Sequence, residues 1–160
     1  MKKHLPAIMI LLLAAYILTG CGGETIDIAA ATIRAAVDEA LAPETLPIMM
    51  ELDASVLKTY YELGDAEVRE FSGQMPLLNV SATEIVIIHA KKNKADIVLQ
   101  ALSARRDALL EHWSSGGEAQ YTLVQDCRVV QNGEWLLLVI AEPAEEIVNA
   151  FNVCIDSYKS

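Results

Sequence analysis

The apolar residues of this chain fall into one uninterrupted N-terminal run and a series of shorter periodic segments. Residues Leu5–Leu18 are almost wholly apolar and closely follow Lys2 and Lys3. A run of this length, placed near the N-terminus behind basic residues, is typical of a secretory signal peptide. We therefore expect the folded domain to begin after this run.

Helical spacing dominates the next part of the chain. One stripe of apolar residues has members four positions apart: Ile33, Val37 and Leu41. The spacing predicts a helix over Asp27–Leu41, and the prolines that follow end it. Asp53 and Asp65 each predict the N-cap of a short helix, the first ending near Gly64 and the second near Gly73.

A strand and a long helix come next. The β-branched run within Ile85–Ala90 predicts the strand. Asn93 lies in a Lys-rich turn and predicts the N-cap of a helix that runs from Lys94 to about Ser114. The expected buried stripe of this helix is Val98, Leu102, Leu109 and Trp113. Arg105 is expected to lie off that stripe.

The pair Asn132-Gly133 gives the clearest local signal in the chain, because it lies between two apolar runs. These runs are Tyr121–Val130 and Trp135–Ala141, and an Asn-Gly pair between them predicts a β-hairpin. The expected register places Val129 opposite Leu136. One hairpin face then carries a set of residues that should face the core: Leu123, Cys127, Val129, Leu136, Leu138 and Ile140.

The other hairpin face is the candidate interaction surface. It carries Asp126 and Arg128 beside Trp135 and Leu137. This mixture of charged and apolar residues predicts that helices cover the face only in part. We therefore expect Asp126, Arg128 and Trp135 to be available to a partner.

The last helix completes the predicted fold. Pro143 predicts its first position, Glu145 and Glu146 lie in its first turn, and Ile147, Phe151 and Cys154 form its buried stripe. The predicted class is α+β: N-terminal helices followed by β-α-β-β-α, with a small antiparallel sheet packed on one face by helices. If the strand that begins at Trp135 is central, every neighbouring pair of strands is antiparallel, but the sequence does not decide the strand order.

Cys21 is the candidate lipidation site. It ends the tetrapeptide Leu18-Thr19-Gly20-Cys21 directly after the apolar run, and this tetrapeptide resembles the lipobox of bacterial lipoproteins. The resemblance implies that the Cys21 thiol receives a diacylglycerol and that cleavage removes residues 1–20. We expect residues 21–25 to be a lipidated tether and residues 26–160 a single domain, held at the outer face of the cell membrane.

Cys127 and Cys154 are both predicted to point toward the same core. An exported protein can form a disulfide between two such residues. Two buried and unpaired thiols are the preferred interpretation, because free Cys is among the most buried residue types.

Composition and motifs narrow the function. Removal of the leader takes away two of the 12 basic residues and none of the 22 acidic ones, which changes the formal charge from −10 to −12. An acidic domain is repelled by nucleic acid, so no nucleic-acid partner is expected. The sequence has no phosphate loop, zinc-peptidase motif or nucleophile elbow, and His89 and His112 have no further ligands near them in the sequence. No catalytic residue, cofactor or metal ligand is predicted.

A series of short segments between Ala42 and Phe151 has a recognisable order. The segments are Met75-Pro76-Leu77-Leu78-Asn79-Val80, Ala82 and Glu84, the Lys-rich turn, Arg105-Arg106, Tyr121-Thr122-Leu123-Val124, the Asn-Gly hairpin and Val148-Asn149-Ala150-Phe151. With the leader and lipobox, this order resembles an uncharacterised family of small lipoproteins from Gram-positive bacteria, known only as a domain of unknown function. The resemblance implies the location and a single domain, and it implies no site residue. Cys127 and Cys154 are additional to the family pattern.

Three classes of function agree with these features. The first is a non-enzymatic binding or accessory module of the cell envelope, whose partner is another envelope protein or a wall component. The second is an enzyme acting on cell-wall or lipid intermediates, for which a pocket joining His89 or His112 to carboxylates is the distinguishing feature. The third is a small-ligand sensor.

Overall fold

The computed structural model describes residues 27–42 and 46–159. Its helices are α1 Ala30–Glu39, α2 Ala54–Tyr61, α3 Ala95–Trp113, α4 Glu118–Gln125 and α5 Ala144–Asp156. Its strands are β1 Met49–Glu51, β2 Val68–Pro76, β3 Glu84–Ala90, β4 Arg128–Asn132 and β5 Trp135–Ile140. The predicted signal peptide, lipobox and tether lie outside the described residues.

The five strands form one sheet in the order β1-β2-β3-β5-β4, and every neighbouring pair is antiparallel. The predicted α+β class, with helices packed on an antiparallel sheet, is confirmed. The strand that begins at Trp135 lies between β3 and β4, which settles a strand order that the sequence left open. The sheet extends beyond the expected three strands because β2 and β1 continue it on the far side of β3.

Helices cover both faces of the sheet, whereas the sequence predicted one covered face. Side chains alternate between the two faces along each strand. On one face, which we call the α3-side core, Val86, Ile88 and Leu138 pack with residues of α2, α3 and α4. On the other, the α5-side core, Ile87 and Leu137 pack with residues of α1 and α5. All residues of β3 and β5 are therefore buried.

The segment after Asp65 forms strand β2, so the helix predicted there is wrong. Asp65 lies in a turn, and the chain becomes extended at Val68. Pairing decides the outcome, because β2 bonds to β3 on one edge and to β1 on the other. Tertiary context of this kind overrides a local capping signal. The helix predicted after Asp53 is confirmed, since the Asp53 carboxylate accepts a hydrogen bond from the Val56 N–H at 2.8 Å.

The hairpin exists, but its first arm is shorter than predicted. Residues up to Gln125 form helix α4, whose Val124 is fully buried in the α3-side core, and only β4 is extended. The central turn residues are Gly133, with φ of 64°, and Glu134. Glycine at the first central position with positive φ suits a type II′ turn. Val129 consequently lies opposite Leu138 instead of Leu136, which keeps the same residues on the same face.

Two helix starts also differ from the prediction. Lys94 is the N-cap of α3, and Asn93 instead adopts the left-handed conformation with φ of 63° in the preceding turn. Asn tolerates this conformation better than most residues. Pro143 is the N-cap of α5 and not its first helical residue. The buried stripe of α5 ends at Ile155 in place of Cys154, which is only partly buried.

Gly73 provides a test of the β2–β3 pairing. A Cβ atom at this position would lie 2.4 Å from the Ile85 carbonyl oxygen, a backbone atom that cannot move without disturbing the central strand. We expect Gly73→Ala to lower the free energy of unfolding by about 2 kcal/mol, measured by urea denaturation. Gly64→Ala is the matched control, because nothing lies within 4 Å of a Cβ there. Equal stability of the two variants would contradict the close approach.

Candidate functional site

The expected interaction face of Asp126, Arg128 and Trp135 does not form. Trp135 is 1% exposed, and its indole N–H is buried with no hydrogen-bond partner in the part of the chain that the structure describes. The side chain lies in the α5-side core because α1 and α5 cover that face of the sheet. Asp126 and Arg128 are exposed, and the Arg128 guanidinium bonds the Glu145 carboxylate at 2.7 Å. The prediction of an exposed Trp135 is therefore wrong.

The two cysteines lie on opposite faces of the sheet, which excludes a disulfide in this fold and agrees with the preferred interpretation of unpaired thiols. Cys127 packs against the α3-side core and Cys154 against the α5-side core, and both are free. The expectation that both point into one core is wrong because α5 covers the opposite face from α3. Burial raises the pKa of both thiols, which keeps them protonated and poorly nucleophilic at neutral pH.

His89 belongs to the packing of the sheet. Its ring stacks on Trp135 with centroids 4.2 Å apart, and its Nε2 lies 3.6 Å from a carboxylate oxygen of Glu134. Burial, followed by the charge of Arg69, lowers the pKa of His89 despite the nearby carboxylates. His89 is therefore neutral and packs with the α5-side core. It does not line the groove described below or the other cavities found among the described residues.

A groove between α2, α3 and the β2–β3 connection is the best candidate site. Its volume is about 540 Å³, within the range of small-molecule and peptide sites. Its walls are largely apolar and include Met50, Val56 and Leu109. The polar groups that line it are Tyr60, Asn79, Ser81, Glu84, Arg105 and His112. We call this feature the α2–α3 groove.

A buried ion pair forms part of the groove lining. Glu84 is the first residue of β3, and its carboxylate is almost completely buried. The Arg105 guanidinium of α3 donates from Nε and Nη2 to this carboxylate. The Tyr61 hydroxyl of α2 donates to Glu84 Oε2 at 2.8 Å. One carboxylate thus joins the central strand to two helices.

The electrostatics of this cluster favour fixed protonation states. Burial, the charge of Glu84 and the hydrogen bond to it raise the pKa of Tyr61 well above its usual value. Burial opposes the charge on Arg105, but the bonds and charge of Glu84 outweigh burial and raise the pKa of Arg105. The Tyr60 ring also lies 4.9 Å from the Arg105 guanidinium carbon, in cation–π contact. Tyr61 therefore stays neutral and Arg105 stays charged.

The sequence placed Arg105 off the buried stripe of α3, and the structure corrects this. Arg105 lies three residues after Leu102 and four before Leu109, which is the spacing of one helix face. Its side chain is 13% exposed and turned toward Glu84. The signal that could have revealed the pair was this spacing, together with a carboxylate at the start of an otherwise apolar strand.

His112 lies at the end of the groove near the β2–β3 connection. Its Nε2 lies 3.4 Å from the Asn79 side-chain nitrogen, and its ring packs edge-on against Trp113 at 4.9 Å. Among the described residues no group of three His, Cys, Asp or Glu side chains converges to hold a metal ion. Within the same residues no helix is long and apolar enough to span a membrane.

Comparison with known proteins gives one match. The family model described as Domain of unknown function (DUF4358) matches residues 43–141. This segment contains all five strands, helices α2 to α4 and every residue named above as lining the groove. No significant match was found among curated proteins or among solved structures.

The Glu84–Arg105 pair can be tested by a double-mutant cycle. Glu84→Leu alone leaves the Arg105 charge and the Tyr61 hydroxyl without their partner, so we expect a loss of about 3–5 kcal/mol in unfolding free energy. Arg105→Met alone leaves a buried carboxylate and should cost a similar amount. The double variant should lose clearly less than the sum of the two, measured by urea denaturation.

The exposed pair Arg128–Glu145 is the control for this cycle, and its coupling should stay below about 1 kcal/mol. Additive losses at Glu84 and Arg105 would show that the two side chains do not depend on each other.

Proposed function

The chain belongs to the family described as Domain of unknown function (DUF4358), and we propose that it is a lipid-anchored extracytoplasmic protein that acts as a non-enzymatic binding module of the cell envelope. The α2–α3 groove is its binding site. The partner is another envelope protein or a wall component.

The anchor rests on the leader and on Leu18-Thr19-Gly20-Cys21. Cys21 lies outside the described residues, and helix α1 begins nine residues later at Ala30. A diacylated cysteine carries two acyl chains, which is enough for stable membrane attachment. The short connection keeps the domain close to the membrane surface.

One observation carries the binding role: the charged groups of Glu84 and Arg105 neutralise each other beside apolar side chains in an open groove. Both oxygens of Glu84 already accept hydrogen bonds from Arg105 or Tyr61. A carboxylate held in this way is a poor general base, because accepting a proton would break the pair. An apolar cleft with a few fixed polar groups instead favours recognition.

The enzyme hypothesis remains the second candidate because of one specific feature. His112 and Glu84 both line the groove, which is the kind of His–carboxylate pocket that this class requires. The satisfied hydrogen bonds of Glu84 argue for the binding role over this one. The volume of the groove also suits a small ligand, so the sensor hypothesis is an outcome of the test below.

Replacement of Cys21 tests the anchor. We expect the wild-type chain to fractionate with membranes and to carry acyl chains on its N-terminal cysteine, as seen by mass spectrometry of the N-terminal peptide. Cys21→Ala should lack the acyl groups and lose most of its membrane association. Equal acylation or equal membrane retention of the two proteins would contradict the lipid anchor.

Site-specific photo-cross-linking in intact cells tests the groove. Tyr60 lies on its rim and is 48% exposed, and Tyr158 is 49% exposed near the end of the chain. We expect a photoreactive residue at Tyr60 to capture one dominant envelope protein or wall fragment, and the same residue at Tyr158 to capture it much less.

The captured species distinguishes the hypotheses. Capture of a small molecule only at Tyr60 would support the sensor hypothesis and contradict the binding module. A covalently altered wall or lipid intermediate, changed further by His112→Ala, would favour the enzyme. No specific capture at Tyr60 would overturn the groove as the binding site.

A further inference from the structure

Four large apolar side chains lie exposed at one end of the α2–α3 groove, and two of them, Leu77 and Leu78, also line the groove. They are Ile48, Leu77, Leu78 and Val80, each between 55% and 70% exposed. Two backbone hydrogen bonds hold them together, from Leu77 N to Ile48 O at 2.9 Å and from Val80 N to Leu78 O at 2.8 Å. Contiguous exposed apolar surface marks interaction sites in folded proteins. We call these four residues the distal patch.

The segments around the distal patch carry unpaired carboxylates. Glu111 precedes His112, which contacts Asn79 within the β2–β3 connection. Glu118 is the first residue of α4, and in the same turn Gln120 accepts a hydrogen bond from the Ala82 N–H. Neither acid forms an ion pair with any residue that the structure describes.

The opposite side of the same connection is acidic as well. A cavity of about 240 Å³ there is lined by Leu46 and Thr83 together with Asp126 and Glu142. These two acids also have no ion-pair partner within residues 27–42 and 46–159. The patch is therefore an apolar centre with acidic surroundings.

The distal patch lies at the end of the sheet away from the tether. The Ala30 N–H at the start of α1 donates to the Glu70 carboxylate near the start of β2. Leu77 follows Pro76 at the other end of that strand, which is about 20 Å away at the rise of a β-strand. The chain that leads to Cys21 therefore joins the domain far from the patch.

We propose that the distal patch docks a protein of the cell envelope whose contact surface has an apolar centre and a basic rim. This inference rests on the proposed binding function and specifies the partner by its chemistry. The apolar centre supplies burial, and the acidic surroundings select a cationic partner and speed its encounter.

The acidic surroundings disfavour the two other occupants. Anionic lipid headgroups are repelled by carboxylates, and the patch lies at the end opposite the tether. A second copy of this chain would place the same four acids against each other in a two-fold interface, because such an interface uses one patch twice. Like charges facing each other across an interface are unfavourable.

Photo-cross-linking of the full-length protein in intact cells tests the proposal. Leu78 in the patch and Val153 on α5 are 58% and 59% exposed, so Val153 is a matched control. We expect a photoreactive residue at Leu78 to yield one dominant protein adduct, at least about fivefold stronger than at Val153, and the adducted surface to be rich in Lys and Arg.

Charge reversal tests the rim. Glu111→Lys with Glu142→Lys should reduce the Leu78 adduct by about fivefold, since a basic rim would then meet a basic partner. Asp65→Lys with Asp96→Lys changes the net charge equally at exposed positions near the opposite end of the sheet, and it should change the adduct less than about twofold. Thermal unfolding of each variant checks that the fold is intact.

Three outcomes would overturn the proposal: lipid adducts at Leu78, adducts only to a second copy of the chain, or equal effects of the two charge reversals. Absence of a protein adduct at Leu78 with capture retained at Tyr60 would remove this docking surface and leave the proposed function standing. Loss of capture at both Leu78 and Tyr60 would contradict both the docking surface and the proposed binding function.

Discussion

The architecture depends on a charged residue that begins a strand buried along its whole length. Glu84 starts β3, the middle strand of the sheet, and its carboxylate is almost completely buried. A buried carboxylate is tolerated only when other groups compensate its charge. Arg105 from α3 and Tyr61 from α2 provide this compensation, which fixes both helices against the same strand. The groove between the helices follows from that constraint.

The second constraint is that β3 and β5 are apolar on both sides. Ile85 and Ile87 point away from the α3-side core and need a cover of their own, which α1 and α5 provide. A strand that is buried on both faces shows a continuous apolar run instead of an alternating one. The run Trp135–Ile140 has this character. Its Trp135 therefore lies inside, and a partner cannot reach it.

The features that the sequence predicted well are those set by local chemistry. The Asp53 cap, the long α3 and the existence of a hairpin that turns at Gly133 follow from side chains acting on their own neighbourhood. Strand β2 and helix α4 could not be predicted in this way, because pairing with β3 and packing on α3 decide them. The candidate site shows the same division. His112 was a candidate from its side chain alone, whereas Arg105 gained its role only from a partner 21 residues away.

The groove and the distal patch contribute differently to the proposed recognition. The Glu84–Arg105 pair is internally neutral and rigid, so it positions the groove without attracting a charged ligand by itself. Net attraction then has to come from acidic residues in the segments around the distal patch, such as Glu111, which precedes the groove residue His112. Both features lie within residues 43–141, the segment that the family model matches, whereas α1 and α5 lie outside it. The proposed recognition surface therefore belongs to the part of the chain that defines the family.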